Sequence, residues 1–295
     1  MNLANRLEVG VWSDMAGERQ TDELRVAFGE NWRSFLAAVD DERIETATGS
    51  LKGLLGVSEL TNRRFLDVGS GSGLFSLAAR RLGARVHSFD YDISSVECTE
   101  ELRRRYRPGD IDWTIERASI LDRPYLDGLG QFDVVYSWGV LHHTGAMWEA
   151  LENAARMVGP NGLLVIALYN DQGGWSRRWT IIKRTYNRLP PALRIPFTVL
   201  VMGGRELPQI ALAVLRGEIM RYVRAWSEYS TLSTRGMSRW HDMLDWVGGY
   251  PFEVACPERV FDFLHGRGFS LEKLRTAGGG LGCNEYLFLR PGAHG

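Results

Sequence analysis

Along the chain, short runs of consecutive apolar residues alternate with stretches whose apolar residues recur every three or four positions. The first kind predicts β-strands over Arg64–Val68, Arg85–Asp90, Trp113–Ala118, Phe132–Ser137 and Gly162–Tyr169. The second predicts helices over Leu74–Leu82, Ser95–Tyr106 and Trp148–Val158. Strands separated by helices fold as repeated βα units, so the expectation is an α/β fold with a mostly parallel, doubly wound sheet. The runs Phe132–Tyr136 and Leu163–Ala167 are almost continuously apolar, as strands covered on both faces should be. The sequence Gly159-Pro160-Asn161-Gly162 reads as a turn between the third of these helices and the fifth strand.

The regular alternation does not cover the whole chain. Residues 1–60 carry amphipathic spacing over Leu24–Val39 and Arg43–Leu55, with Gly56 as a stop, and are expected to form a helical N-terminal cap. Residues 61–170 hold the βα core. The pattern lapses over residues 171–250, expected to be a helical insertion acting as lid or substrate-binding element. It resumes over residues 251–295 with a helix at Pro257–His265 and strands at Ser270–Thr276 and Glu285–Arg290 around Gly278-Gly279-Gly280. Charge follows the same division. Residues 1–170 hold 18 basic and 25 acidic side chains, residues 171–250 hold 12 and 6, and residues 251–295 hold 5 of each.

Chemistry concentrates where the first strand ends. In Asp67-Val68-Gly69-Ser70-Gly71-Ser72-Gly73-Leu74 an apolar strand runs into three glycines and then a helix, which calls for a tight turn and close approach of a ligand to the backbone. A dinucleotide fingerprint would need GxGxxG, but Leu74 stands where its last glycine belongs. Asp67 would also oppose a pyrophosphate, so a cationic or zwitterionic ligand suits the loop better. Asp90 ends the second strand, 23 residues after Asp67, where a carboxylate can accept both hydroxyls of a ribose. The two features together imply a nucleoside ligand.

These residues resemble the class I S-adenosylmethionine-dependent methyltransferases from Phe65 to Leu168, with the closing strands at 270–290. The resemblance implies a seven-stranded Rossmann-like sheet and S-adenosyl-L-methionine as cofactor. It identifies Asp67, Gly69, Gly71 and Gly73 with the loop around the methionine part of the cofactor, and Asp90 with the ribose-binding acid. Tyr91 would be the apolar neighbour of the adenine, and Ser119 and Ile120 would lie beside the adenine edge. The run Phe132-Asp133-Val134-Val135-Tyr136-Ser137-Trp138-Gly139-Val140-Leu141-His142-His143 resembles the fourth-strand motif of the quinone-biosynthesis, natural-product and sugar methyltransferases, with Trp138 flanking the cofactor. Enzymes that methylate exocyclic amines usually carry an Asn/Asp-Pro-Pro-aromatic motif here, which Ser137-Trp138-Gly139-Val140 lacks. An oxygen of a small molecule, a metabolite or sugar, is therefore the expected acceptor. A histidine near neutral pH can take the proton of an attacking hydroxyl. His142 and His143 are the candidates, either of which could instead pack or cap the next helix.

Composition narrows the remaining readings. With 44% hydrophobic and 24% charged residues the chain should fold around a core. A net charge of -1 gives no case for nucleic acid as partner. Cys98, Cys256 and Cys283 lack metal-site or disulfide spacing, so no metal is expected and a reducing cytoplasm is the natural compartment. The apolar stretch Ile195–Leu215 is interrupted by Gly203, Gly204, Arg205, Glu206 and Pro208, which argues against a membrane-spanning helix. Cations and aromatics mix in Trp175–Arg188, so residues 171–215 could contact a membrane surface or a quinone-type lipid acceptor, or present a solvated basic face. The polar and aromatic cluster from Arg239 to Glu253 could supply a further acid or base in His241, or be a packed junction. A cofactor-binding module without catalysis is the remaining reading from another class.

Overall fold

A computed structural model describes residues 39–227 and 239–292. The expected helix over Leu24–Val39 lies almost wholly outside them. Seven strands form one sheet: β1 (Arg64–Val68), β2 (Arg85–Asp90), β3 (Trp113–Arg117), β4 (Phe132–Trp138), β5 (Val158–Tyr169), β6 (Ser270–Arg275) and β7 (Cys283–Leu289). Their order is β3-β2-β1-β4-β5-β7-β6. The first five pair in parallel, and β7 runs antiparallel between β5 and β6. The order reverses between β1 and β4, and at that switch point the strand ends diverge to leave a crevice.

Side chains alternate across the pleat, so each buried strand feeds two cores. Phe65, Val134, Tyr136 and Val165 pack on one face with α1 (Asp41–Leu55), α2 (Leu74–Arg81) and α3 (Ile93–Tyr106). Leu66, Val68, Val135 and Ile166 pack on the other with α4 (Arg123–Leu129), α5 (Met147–Arg156) and α10 (Pro257–His265). α1 ends as expected: Gly56 has a φ of 72° and donates its N–H to the Lys52 carbonyl. α4 escaped the periodicity because it is only 7 residues long, although Asp122 accepting from the Tyr125 N–H and a proline in its first turn are ordinary start signals.

Two expectations are corrected. Gly159–Gly162 is not a turn ahead of β5 but an irregularity inside it: pairing with β4 jumps from Phe132↔Val158 to Val134↔Leu163, with Asn161 at a φ of 56°. Ile195–Leu215 is likewise unbroken. It belongs to a continuous 25-residue helix, α7 (Pro191–Leu215), between α6 (Gly174–Arg188) and α8 (Ile219–Ser227). Pro208 removes one backbone donor and crowds the carbonyl four residues earlier, and that residue is Gly204, which has no side chain to hinder adjustment. Buried Thr198, Met202 and Glu206 hold the helix against its neighbours. α9 (Arg239–Gly248) completes the insertion, and Trp179, Met202, Met243, Val247 and Phe252 form its own small core.

Candidate active site

The loop after β1 turns through positive φ at Gly69 (74°), Gly71 (55°) and Gly73 (78°). A Cβ on Gly69 would lie 2.5 Å from the Val140 side chain, so only glycine lets the loop pass β4. Asp67 is buried at the end of β1 and accepts from the Ser76 hydroxyl. When Asp67 is ionised it can only accept, and the direction of a buried chain follows. The Trp113 indole N–H donates to Ser88, Ser88 donates to Ser76, and Ser76 donates to Asp67. Asp90 accepts the Gly71 N–H at 2.9 Å on one oxygen and the Asp92 N–H at 2.9 Å on the other. This ties the glycine loop to the end of β2. Burial pushes the Asp67 carboxyl up to about 7, a rise the Ser76 bond opposes and Asp90 adds to. Burial likewise raises Asp90 to about 6 against the pull of the backbone donors of Gly71, Asp92 and Tyr91.

Asp67, Gly69, Gly71, Asp90, Tyr91, Ser119, Ile120, Trp138 and His143 all line one cavity of 1690 Å³. Pockets for drug-sized ligands measure roughly 300–1,000 Å³, so this cavity is larger than one such ligand needs. Arg117 donates to the Tyr91 carbonyl at 3.1 Å and lies over its ring at 5.8 Å, fixing Tyr91 at the rim. Trp138 stacks on Tyr136 at 5.8 Å with the rings 8° apart, and Tyr136 on Phe75 at 5.1 Å. Two expected residues fall elsewhere. Gly73 does not line the cavity; it starts α2 against Thr99, whose methyl would be 2.7 Å from an added Cβ. His142 is fully buried outside the cavity, its Nδ1 accepting the Tyr169 N–H at 3.3 Å.

The two adjacent histidines thus differ in environment. His143 lines the cavity, with Nδ1 2.6 Å from the Pro251 carbonyl oxygen. A carbonyl only accepts, so Nδ1 carries the hydrogen and Nε2 the lone pair, the form a general base needs. Residues that sequence reasoning missed also line the cavity. Tyr136 looked like ordinary core within its apolar run, yet its hydroxyl is buried with no hydrogen-bond partner. Arg43 and Thr46 reach the wall from α1, and nothing in their local sequence marks them. Trp246 and Tyr250 come from the cluster before the core resumes. That cluster is a packed junction as far as it is described: Lys183 donates to the Trp246 carbonyl and lies 4.4 Å over its ring and 4.8 Å over Phe252. The His241 side chain lies outside the described residues.

Comparison with known proteins agrees with this geometry. Residues 66–166 match the family model described as a methyltransferase domain. The ubiquinone biosynthesis O-methyltransferase of Brucella ovis is 32% identical over 111 residues, 38% of this chain and 43% of that protein. Its namesake from Caulobacter sp. strain K31 is 29% identical over 113 residues, 36% and 41% of the two chains. The chain thus spans about two fifths of the length of these curated relatives. Among solved structures, an O-methyltransferase family protein from Burkholderia thailandensis has a TM-score of 0.51 at 16% identity, covering 98% of this chain and 71% of that one. The magnesium protoporphyrin IX methyltransferase from Synechocystis PCC 6803, solved with bound SAH, has a TM-score of 0.50 at 14% identity, covering 84% and 83%. At such identities these structures establish the fold alone.

Proposed function

We propose that this protein is a class I S-adenosylmethionine-dependent methyltransferase that methylates an oxygen of a small-molecule acceptor, with His143 as the base; residues 66–166 match the methyltransferase-domain model. One observation carries the reading: Asp67, the hydrogen-bonded Gly71–Asp90 pair and His143 line the same cavity. The O-methyltransferase names of the curated relatives support oxygen as the atom methylated.

The residues present fit the cofactor. Each Asp90 oxygen accepts one backbone N–H and keeps a lone pair for a ribose hydroxyl. Tyr91 and Ile93, both partly exposed in the cavity wall, would flank a flat base beside Ser119 and Ile120. Asp67 and Asp90 supply negative charge suited to a cationic or zwitterionic ligand, and the unpartnered Tyr136 hydroxyl offers a donor. When bound, S-adenosylmethionine supplies a sulfonium methyl with a good leaving group. The protein then has to align and to move one proton. His143, held through Nδ1 by the Pro251 carbonyl, would accept the acceptor's hydroxyl proton at Nε2 while Tyr169, Trp246 and Tyr250 enclose that side of the cavity. His142 would serve only to pack the strand ends. A reducing cytoplasm is the proposed compartment, and Cys98, Cys256 and Cys283 form no disulfide that would oppose it.

The test is equilibrium titration with S-adenosylhomocysteine, followed by transfer of labelled methyl into a fractionated cell extract. Asp90→Ala should weaken binding by about 1–3 kcal/mol, roughly five- to 150-fold. Unchanged affinity would remove Asp90 from the site. Label in the aqueous small-molecule fraction supports the reading, and label in the organic phase replaces it with a lipid acceptor. Tight binding without transfer to any fraction favours a non-catalytic module.

A further inference from the structure

The helical insertion turns its apolar side outward. On α7, Leu193, Pro196, Leu200, Leu207 and Val214, with Leu215 beside it, fall on one stripe at intervals of three, four and seven residues, the pattern that normally faces a core. Here it faces away from one: Leu200 is 75% exposed, Leu207 65% and Leu215 84%. α8 also exposes Ile219, Met220 and Val223. The opposite side of α7 is occupied, since Thr198, Met202 and Glu206 are buried and the Tyr222 hydroxyl donates to Glu206 at 2.6 Å, pinning α8 to α7. Isolated exposed leucines are ordinary, but a stripe running the length of a 25-residue helix marks an interaction surface.

Charge identifies what the surface meets. Residues 174–227, from the start of α6 to the end of α8, carry 10 basic and 2 acidic side chains. The rest of the chain holds 25 of its 35 Lys and Arg but 34 of its 36 Asp and Glu. An apolar stripe inside a locally cationic segment of an otherwise acidic protein complements an anionic lipid surface. α7 is also long and apolar enough to cross a membrane by length and composition. Crossing is opposed by Arg205 near its middle and by the packing of its other side on the insertion's own core.

We propose that α7, with α8 beside it, docks in the plane of an anionic bilayer, with the stripe from Leu193 to Leu215 immersed at the boundary between headgroups and acyl chains and the segment's exposed basic side chains, buried Lys183 excepted, facing phosphate. The insertion's core joins this surface to the cavity, because Trp246 both packs in that core and lines the cavity wall. Docking does not depend on the catalytic reading.

Flotation of the whole protein with phosphatidylcholine vesicles, with and without phosphatidylglycerol, tests this. Binding to phosphatidylglycerol vesicles should be at least about tenfold tighter than to phosphatidylcholine alone, and should fall about tenfold when salt shortens the screening length. The triple variant Leu200→Glu/Leu207→Glu/Leu215→Glu should lose vesicle binding while binding S-adenosylhomocysteine as the parent does, which separates docking from both folding and the cavity. Absence of vesicle binding at low salt, or a triple variant that still floats, overturns the proposal. So does light scattering that shows a parent dimer and a monomeric variant, since a second copy would then cover the stripe. Retention on the membrane through high salt and alkaline extraction would mean a spanning helix and also overturns it.

Discussion

The parallel sheet and the α6–α8 arm are both rich in Leu, Ile and Val, yet they use them in opposite ways. In β4 and β5, Val135, Leu164 and Ile166 are sealed between helices at zero exposure, and the strands' carboxyl ends carry the polar residues of the site. In α7 the same residue types face solvent. Apolar composition therefore states that a surface will be covered. Whether the cover is the protein's own helices or something else depends on which elements pack together.

The largest expected effect tests the chemistry carried by the sheet. His143→Ala should lower turnover by about 10²–10⁴-fold with little change in cofactor affinity, whereas His142→Ala should act mainly on stability. Equal turnover losses at the two positions would erase the distinction drawn between them. Next in size, Leu66→Ala in the sealed core should cost about 2–5 kcal/mol in denaturant unfolding. A smaller effect concerns pH. The raised carboxyls of Asp67 and Asp90 bind more protons folded than unfolded, so without ligand their contribution favours folding most at low pH and is lost as pH rises from about 4 to 7. Affinity for a cationic or zwitterionic cofactor should run the other way, rising as the two acids ionise between about pH 5 and 8. Melting temperatures with and without S-adenosylhomocysteine should therefore diverge with pH, and parallel curves would count against ionised acids in the site. Smallest of all, Leu207→Gln on the arm should change unfolding free energy by no more than about 0.5 kcal/mol. A core-sized loss there would mean the stripe is buried after all.

Local sequence was informative wherever one physical demand acts on a few neighbouring residues. β1, β2 and α10 have the expected boundaries because buried strands need unbroken apolar runs and helices need a stripe. The glycine loop and Asp90 were legible because a backbone turning through positive φ against Val140 admits only glycine, and because the acid sits at a fixed place in the βα repeat. Gly73 looked like its neighbours in sequence, but the residue it must avoid, Thr99, arrives from a helix 26 positions later. The continuity of α7 was hidden for a related reason. Proline and glycine lower the local preference for helix, while the contacts of Met202 and Glu206 that restore it come from other helices.

By itself, then, the sequence determined the doubly wound sheet, the glycine loop after β1 and the acids Asp67 and Asp90 beside it, since each follows from local backbone and burial demands. Only the tertiary structure separated His143 from His142, brought Tyr136, Arg43 and Trp246 to one cavity, and turned the stripe of α7 outward. Those facts depend on which distant segments meet, and neither periodicity nor composition encodes a meeting between residues a hundred positions apart.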